Sequence, residues 1–356
     1  MVARLARILL VAAALSLLWA PMASAKLRVS GHHLVDNGRV VRLLGINRSG
    51  TEYMCEDGFG DVFDGPHDQR SVTAMRTWRI NAVRVPLNDS CWLGVGRLHK
   101  WAKRYRRAIV QYVRLLRRNR LYVIIEDHLG APGRGISRNI LPLASAAQAP
   151  PFWRSVGRTF RHTSKVLFDL YNEPHNVSWR CWARGCRVPL RVTHSGRTIP
   201  AYRAAGMRTL LLALRSSGAR QPVLLGGLAY ACDLSHWLRY RPRDPARQLV
   251  ASLHTYGPPA DPHAAPCLAA CRRVVVRVAH RYPVVAGEIG EYDCLHGYID
   301  DFMSFADNHG ISYLGWAWDA VAPGSWQCGS GPALILSYDG TPTAFGVGLR
   351  DHLRGL

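Results

Sequence analysis

Short apolar runs alternate along the chain with longer segments in which apolar residues recur every three or four positions. The short runs have the length of buried strands, and the longer segments have the spacing of helices with one buried face. Eight such runs follow one another from Arg42 onward, with helical segments between most of them. This repeated alternation favours a closed parallel barrel, the (β/α)8 TIM barrel, over an open sheet. The predicted strands are residues 42–46, 81–86, 121–125, 166–171, 222–225, 249–253, 283–287 and 311–315.

Further elements complete the predicted α/β fold. Residues 27–41 are expected to form a short N-terminal β-hairpin, because Asp36-Asn37-Gly38 favours a tight turn. No linker rich in Ser, Pro or Thr divides the chain, so we expect one barrel domain over residues 26–356, acting as a monomer. The predicted helices are residues 71–78, 101–118, 152–162, 202–216, 271–281 and 298–309.

The first 25 residues are typical of a cleaved secretion signal. Arg4 and Arg7 precede an apolar run of 13 residues, and Ala23-Ser24-Ala25 has the small-x-small form of a cleavage site. Such a run is shorter than the roughly 20 residues that span a bilayer, so an uncleaved anchor is the weaker interpretation. We expect a secreted, extracellular protein with no membrane span after cleavage.

Nine cysteines in an exported chain favour disulfide bonds. A zinc site is the competing interpretation, but no Cys-x-x-Cys spacing supports it. The spacing alone leaves the connectivity open. The expected pairs are Cys181/Cys186, Cys267/Cys271, Cys55/Cys91 and Cys294/Cys328, with Cys232 left unpaired.

The net charge of +22 is large and comes mostly from arginine. Loss of Arg4 and Arg7 with the signal leaves +20. Such a field can attract nucleic acid or anionic envelope polymers. However, the arginines are dispersed along helix faces, and in residues 100–120 they occupy the face opposite the apolar residues. We interpret them as solvated faces with nonspecific affinity for anionic polymers, and expect no dedicated nucleic-acid site.

Two glutamates follow buried runs at positions where barrel enzymes carry their chemistry. Glu173 follows residues 166–171, and Pro174 ends that strand because it removes an amide donor. Glu288 follows the seventh run in the same way, whereas Glu291 lies further into the loop and ranks below it. A strand-terminal glutamate can also simply cap a helix. Two at one barrel mouth suit glycoside hydrolysis, with one as acid/base and one as nucleophile.

These residues resemble glycoside hydrolase family 5, which belongs to the clan of barrel glycosidases with catalytic carboxylates on strands four and seven. Asn172-Glu173-Pro174 matches the acid/base motif, and Gly287-Glu288-Ile289-Gly290 matches the nucleophile motif. The resemblance covers nearly all of the mature chain, and the opening loop resembles secreted bacterial cellulase-like members. It implies supporting roles for Arg84, His128, Asn172, His254, Tyr256 and Trp318, with Trp316 as the alternative register for the last.

Each of these residue types suits a particular task. Arg84 and Tyr256 can hold the nucleophile carboxylate by hydrogen bonds, and Asn172 can bond a sugar 2-hydroxyl. The two histidines can bond sugar hydroxyls or orient Glu173, and Trp318 offers a flat face to a pyranose ring. Neither a metal nor a cofactor is expected. Aromatic residues that could form further sugar subsites are Tyr53, Trp92, Trp179, Trp182, Trp316 and Trp326.

The leading functional prediction is a retaining β-glycosidase that hydrolyses β-1,4-glucan, with a polysaccharide as its binding partner. It requires the Glu173 and Glu288 carboxyls to lie about 5–5.5 Å apart. The alternatives are the same mechanism on β-mannan, xylan or β-1,3-glucan, since loops choose the substrate in this fold. A non-catalytic carbohydrate-binding wall protein and a polyanion binder are the interpretations outside this class.

Overall fold

A small antiparallel sheet precedes the barrel in the computed structural model. It has three strands, β1 (Arg28–Ser30), β2 (His33–Asp36) and β3 (Arg39–Val41), where the sequence predicts a hairpin of two. The Asn37-Gly38 turn forms as predicted, with both residues at positive φ, and Gly31 provides a second turn that the prediction lacked. The structure describes residues 27–58, 60–192, 196, 198–257, 267–320 and 332–356, with only the backbone of 267–270.

Eight parallel strands close into a barrel, which confirms the predicted (β/α)8 fold. Each predicted run corresponds to one strand, although several strands continue into the polar residues that follow the run. Four short strands lie outside the barrel between its fourth and fifth members: β8 (Cys186–Val188), β9 (Arg191–Val192), β10 (Thr198–Ile199) and β11 (Tyr202–Ala204). The barrel strands are β4 (Leu44–Asn47), β5 (Ala82–Asn88), β6 (Tyr122–Leu129), β7 (Val166–Asp169), β12 (Val223–Gly226), β13 (Leu249–Tyr256), β14 (Val284–Gly290) and β15 (Ser312–Gly315).

Helices surround the barrel, and their apolar faces pack against the outside of the strands. The predicted helix at 202–216 begins late, because its first residues pair as β11 with β8. No helix among the residues in view is long and apolar enough to cross a bilayer. The helices are α1 (Met54–Asp57), α2 (Gln69–Thr77), α3 (Asp89–Leu93), α4 (Ala102–Arg118), α5 (Ala149–Phe160), α6 (Trp179–Arg184), α7 (Met207–Arg215), α8 (Trp237–Tyr240), α9 (Cys267–Ala279), α10 (Gly297–Asn308) and α11 (Ala344–Gly355).

The barrel interior is layered. Alternate residues of each strand point inward, so the apolar side chains Ala82, Ile124 and Leu167 form a floor together with residues of the other strands and of the N-terminal sheet. Two positions further along β5 and β7, the same alternation turns Arg84 and Asp169 into the lumen. A charged layer therefore lies directly above an apolar one, on the side of the C-terminal strand ends.

Two of the predicted disulfide bonds are confirmed. Cys55 pairs with Cys91 across 36 residues, and Cys181 pairs with Cys186. Both bridges lie in connections on the carboxyl-terminal side of strands, where they restrain loops around the barrel mouth.

The remaining cysteine predictions are partly wrong. Cys271 is free, so the expected bridge to Cys267 does not form. Both positions belong to α9, where Cβ atoms four residues apart are about 5–6 Å from each other, too far for a disulfide. Cys232 is disulfide-bonded, against the expectation that it is unpaired. Cys294 is also disulfide-bonded, and its predicted partner Cys328 lies outside the described residues, as do the predicted signal and Trp326.

Candidate active site

The two candidate carboxyl groups lie together at the C-terminal mouth of the barrel. Glu288 belongs to β14 and pairs in register with His254 of β13, while Glu173 lies beyond the end of β7. One carboxylate oxygen of each glutamate and one ring nitrogen of His254 all lie within 4.8 Å of one another. Glu173 and His254 are 81 positions apart in the sequence, and Glu288 belongs to a further strand. The fold thus brings together residues from three different strands or strand ends.

Glu288 accepts a hydrogen bond on each carboxylate oxygen. The Arg84 guanidinium donates to Oε1 at 2.8 Å, and the Tyr256 hydroxyl donates to Oε2 at 2.5 Å. Burial and the nearby Glu288 charge raise the pKa of Tyr256 well above its usual range, so the phenol keeps the proton that it donates. Two charge-assisted donors fix the carboxylate in one orientation, as a nucleophile requires.

Arg84 is fully buried and links four further polar side chains to this carboxylate. Nη1 also donates to Asn47 Oδ1 at 3.0 Å, Nη2 donates to Asn172 Oδ1 at 2.9 Å, and Nε donates to Asp169 Oδ2 at 3.1 Å. Glu126 Oε1 lies 3.7 Å from Nη2. Burial opposes the guanidinium charge, but the surrounding carboxylates outweigh it and raise the pKa of Arg84. The planar fork satisfies acceptors in several directions that a lysine ammonium could not reach together.

Sequence reasoning identified Arg84 but assigned no role to Asn47, Glu126 or Asp169. The sequence feature that points to such residues is the two-residue alternation of a strand. Asp169, for example, comes two positions after the inward-facing Leu167. A charged residue on the inward face of a buried strand needs a partner, and Arg84 is that partner.

Asn172 is oriented by the same guanidinium. Because its Oδ1 accepts from Arg84, its amide NH2 is the group left for a substrate hydroxyl. Its backbone amide donates to the Asp127 carbonyl at 3.1 Å, which ties the end of β7 to β6. The side chain is therefore held from both ends in a position beside Glu173.

Glu173 has a different environment from Glu288. Burial raises its pKa to about 7, against the opposing positive charges of His128 and Arg84. His254 Nδ1 lies 3.1 Å from Glu173 Oε1. Burial, helped by the Arg84 charge and opposed by Glu288, lowers the pKa of His254 to about 4, so this ring is neutral at neutral pH. A carboxyl that keeps its proton near neutrality beside a neutral imidazole has the properties of a general acid.

His128 is oriented by a different carboxylate. Its Nδ1 lies 2.9 Å from Glu126 Oε2. Burial opposes a charge on the ring, but Glu126, with Glu52 and Glu288, raises the pKa of His128 to about 9. The charged ring stacks on Trp316 with 5.2 Å between centroids and 13° between planes. His128 therefore acts on Glu173 through its charge, while His254 touches it.

The structure corrects the predicted register of the sugar-stacking tryptophan. Trp318 has no exposed surface and packs edge-on against Trp78, with ring centroids 4.9 Å apart. Its backbone amide donates to the Asn47 carbonyl, and its ring belongs to the apolar cluster that contains Trp78. Trp316, the alternative register, is partly exposed at the mouth beside His128.

Two more predicted subsite aromatics belong to the core. Trp92 and Trp182 have no exposed surface, and each indole N–H already has an acceptor, in the Ser155 hydroxyl and the Gly226 carbonyl. Large aromatic rings in these loops fill the space between the barrel and its helices, so neither can contact a sugar. Tyr53 is partly exposed, but its hydroxyl donates to an Asp64 carboxylate at 2.6 Å.

Glu291 forms hydrogen bonds with the start of a helix, which explain its position in the loop. Its carboxylate accepts the backbone amides of Tyr298 and Ile299 in the first turn of α10. Such a bond satisfies amides that have no partner within the helix.

Glu173, His254 and Glu288 also have the spacing of a group that could hold a cation. In this arrangement both oxygens of Glu288 already accept hydrogen bonds, from Arg84 and Tyr256. The donors fit a carboxylate prepared for an organic substrate, and the expectation that no metal or cofactor takes part remains a prediction.

Comparisons with known protein families and solved structures agree with the fold and the geometry described above. A family model described as "Cellulase (glycosyl hydrolase family 5)" matches residues 42–321. No curated protein sequence matches the chain significantly. Among solved structures, the catalytic domain of the major endoglucanase from Xanthomonas campestris superposes with a TM-score of 0.66 at 17% identity, covering 92% of this chain and 99% of that one.

Two further structures give the same result. A β-glucanase from Saccharophagus degradans in complex with cellotetraose has a TM-score of 0.65 at 17% identity, covering 94% of each chain. The catalytic domain of an endoglucanase from Thermobifida fusca has a TM-score of 0.58 at 15% identity, covering 93% of this chain and 98% of that one. At these identities the likeness shows a shared fold.

Proposed function

The chain belongs to glycosyl hydrolase family 5 and is a glycoside hydrolase, and from that premise we propose that it is a retaining endo-β-1,4-glucanase that acts outside the cell. Glu173 is the acid/base in this proposal and Glu288 is the nucleophile. Residues 26–356 form its single catalytic domain, which works as a monomer.

The contrast between the two carboxyl groups carries the proposal. Glu288 is held by Arg84 and Tyr256 as a hydrogen-bonded acceptor, whereas burial raises the pKa of Glu173 to about 7. One carboxyl that keeps its proton and another that is held as a hydrogen-bonded acceptor form the pattern of an acid and a nucleophile. The short distance supports retention, because one oxygen of each carboxyl lies within 4.8 Å of the other, which is closer to the separation of about 5–5.5 Å in retaining enzymes than to the roughly 6.5–9.5 Å of inverting ones.

The reaction proceeds in two displacements. Glu288 attacks the anomeric carbon while Glu173 gives its proton to the departing glycosidic oxygen, so a covalent glycosyl-enzyme forms and the chain beyond the bond leaves as an alcohol. Glu173, now a carboxylate, then takes a proton from water, and the resulting hydroxide attacks the same carbon and releases Glu288. Asn172 bonds the sugar 2-hydroxyl, and the neutral His254 keeps Glu173 in place without adding a positive charge beside it.

Support for a β-1,4-glucan comes from relatives and from the mouth. Structures with the same fold hold cellotetraose in the Saccharophagus enzyme and cellopentaose in XacCel5A. In this chain the partly exposed Trp316 offers an aromatic face beside His128, which suits the flat underside of a glucose ring. β-Mannan, xylan and β-1,3-glucan share the mechanism and are separated by experiment.

The test is a hydrolysis panel on cellulose derivatives, mannan, xylan, β-1,3-glucan and mixed-linkage glucan, with product analysis. Soluble β-1,4-glucan should be cleaved fastest into mixed oligosaccharides, and proton NMR should show the β-anomer forming first. Preferred cleavage of another polymer would refute the substrate, an initial α-anomer would refute retention, and no cleavage at all would favour a carbohydrate-binding wall protein.

Two variants separate the roles of the carboxyls. Glu173→Gln should lose most activity on glucan but keep rapid bond cleavage on an aryl cellobioside whose leaving group needs no proton. Glu288→Gln should lose activity on both substrates, because no nucleophile remains. The opposite pattern would exchange the assignments.

Export rests on the predicted signal at residues 1–25. N-terminal sequencing of protein recovered from the culture medium should begin at or near residue 26. Recovery only from the cell interior, with an intact N-terminus, would refute this part of the proposal.

A further inference from the structure

Six arginines from three separate stretches of the sequence line one groove on the outside of the barrel. The groove has a volume of about 940 Å³ and lies beside α6, α7, α8 and the segment that follows α8. Residues lining it that the structure describes include no carboxylate. We call it the arginine groove and define it by Arg180, Arg184, Arg208, Arg239, Arg241 and Arg243.

These charges are not balanced by neighbours. Elsewhere arginines meet acids, as Arg215 does with both oxygens of Asp244 at 2.8 and 2.9 Å. In the part of the chain that the structure covers, none of the six groove arginines forms an ion pair within 4 Å. Arg180 and Arg184 even lie four positions apart on α6, where like charges repel by about 0.2–0.5 kcal/mol. A concentration of unpaired cations in a concave site is the arrangement of an anion-binding surface.

The groove continues as a track along the barrel wall. Arg241 and Arg243 also line a neighbouring cavity of about 430 Å³ together with Arg247. Pro245 connects the groove to a small cavity lined by Arg220. Among the described residues that line these cavities, Asp244 is the one acid, and its carboxylate is occupied by Arg215. An elongated run of cations fits an extended chain with repeated negative charges better than a single small anion.

We propose that the arginine groove binds an acidic polysaccharide, a chain whose sugars carry uronate carboxylates. Guanidinium groups form two parallel hydrogen bonds with a carboxylate, and Leu212 and Pro245 offer exposed apolar surface in the groove for sugar faces. Nucleic acid fits less well, because single strands bind by stacking bases on open aromatic rings. The ring of Tyr240 already meets Trp179 and Arg239, and the ring of Tyr282 meets Arg241.

This site is separate from the catalytic mouth and would hold the enzyme on an acidic matrix while the mouth works on a neutral chain. It also changes the interpretation of the high positive charge. Arginines that lie on several helices and loops come together in the folded chain. Part of the positive charge is therefore concentrated at one site on the surface.

The experiment measures retardation of the full mature protein in native gels that contain polygalacturonate, at pH 7 and at two ionic strengths. The site variant is Arg180→Gln/Arg184→Gln/Arg208→Gln/Arg243→Gln, which spares Arg241 because it donates to the Tyr282 hydroxyl. The control removes the same charge from the exposed face of α4 and is Lys103→Gln/Arg107→Gln/Arg114→Gln/Arg118→Gln.

We expect the wild type to be retarded, more strongly at low salt, and the site variant to lose affinity about tenfold or more. The control should stay within about threefold of the wild type on the same scale. Hydrolysis of a neutral soluble glucan, or the thermal unfolding curve if no glucan is cleaved, shows that both variants are folded.

Equal losses in the two variants would overturn the proposal, because net charge alone would then explain binding. Absence of wild-type retardation would overturn it as well. Tighter binding of single-stranded DNA than of polygalacturonate, lost in the site variant, would assign the groove to nucleic acid instead.

Discussion

Replacing Glu173 by glutamine tests the electrostatic basis of the site in a way that does not depend on substrate. Glutamine keeps the shape of the side chain and can still contact His254, but it has no proton to lose. Burial raises the pKa of the wild-type carboxyl from 4.5 to about 7, so folding and protonation of this group are linked. The variant removes that link and leaves the other charges of the mouth unchanged.

The sign and size of the effect follow from the shift. Between pH 4.5 and 7 the folded chain holds this proton and the unfolded chain does not, so the wild-type free energy of unfolding falls as pH rises. A shift from 4.5 to about 7 corresponds to about 3 kcal/mol. The variant should therefore gain about 3 kcal/mol over the wild type between pH 4 and pH 8.

Urea unfolding of both proteins at closely spaced pH values measures this difference. Asp57→Asn, which removes an exposed carboxylate, reports what the loss of one surface charge does by itself. In the wild type, kcat/KM should fall as pH rises through about 7, because the first displacement needs protonated Glu173. Two results would refute the reasoning. One is a difference in unfolding free energy between variant and wild type that stays constant with pH. The other is a fall in kcat/KM at a pH far from that at which the unfolding free energy changes.

Three further perturbations have defined outcomes. Arg84→Lys keeps the charge but loses the planar fork, so kcat should fall about 10²-fold with little change in KM; a loss below threefold would contradict the role. Trp316→Ala should raise KM for cello-oligosaccharides about tenfold, while Trp318→Phe should leave it unchanged, and the reverse result would restore the predicted register. Replacing Cys55 and Cys91 by serine should lower the free energy of unfolding by about 4 kcal/mol from the 36-residue separation, and a urea-measured loss under about 1 kcal/mol would contradict that.

The barrel could be predicted because its signal is local. A strand buried on both faces is an apolar run, and the polar residue that follows it marks the strand end, as at Glu173 and Glu288. Eight such ends in one chain leave few other ways to fold. The apolar pattern of a strand buried on both faces does not show which alternate side chains point into the barrel. The roles of Asp169 and Glu126 around Arg84 therefore emerge only with the closed barrel.

Other features depend on contacts that no spacing encodes. Trp316 and Trp318 are equally aromatic in sequence, and only the folded structure shows that Trp318 lies in the core against Trp78. Cys267 and Cys271 are close in sequence but lie on one helix, where a bridge cannot form. The arginine groove is a further case, since its members come from separate elements and become one surface only after folding.

Asn47 couples the assembly of the barrel to its chemistry. Its side-chain amide donates to the carbonyls of Gly287 and Gly315, in β14 and β15, while its Oδ1 accepts from Arg84. Asn47 is the last residue of the first barrel strand, whereas β14 and β15 are the last two barrel strands to be synthesised. A nascent or half-folded chain therefore has its acid carboxyl but no correctly held nucleophile. Catalytic activity should return in refolding only when the first barrel strand has joined the last two, and so can serve as a reporter of ring closure.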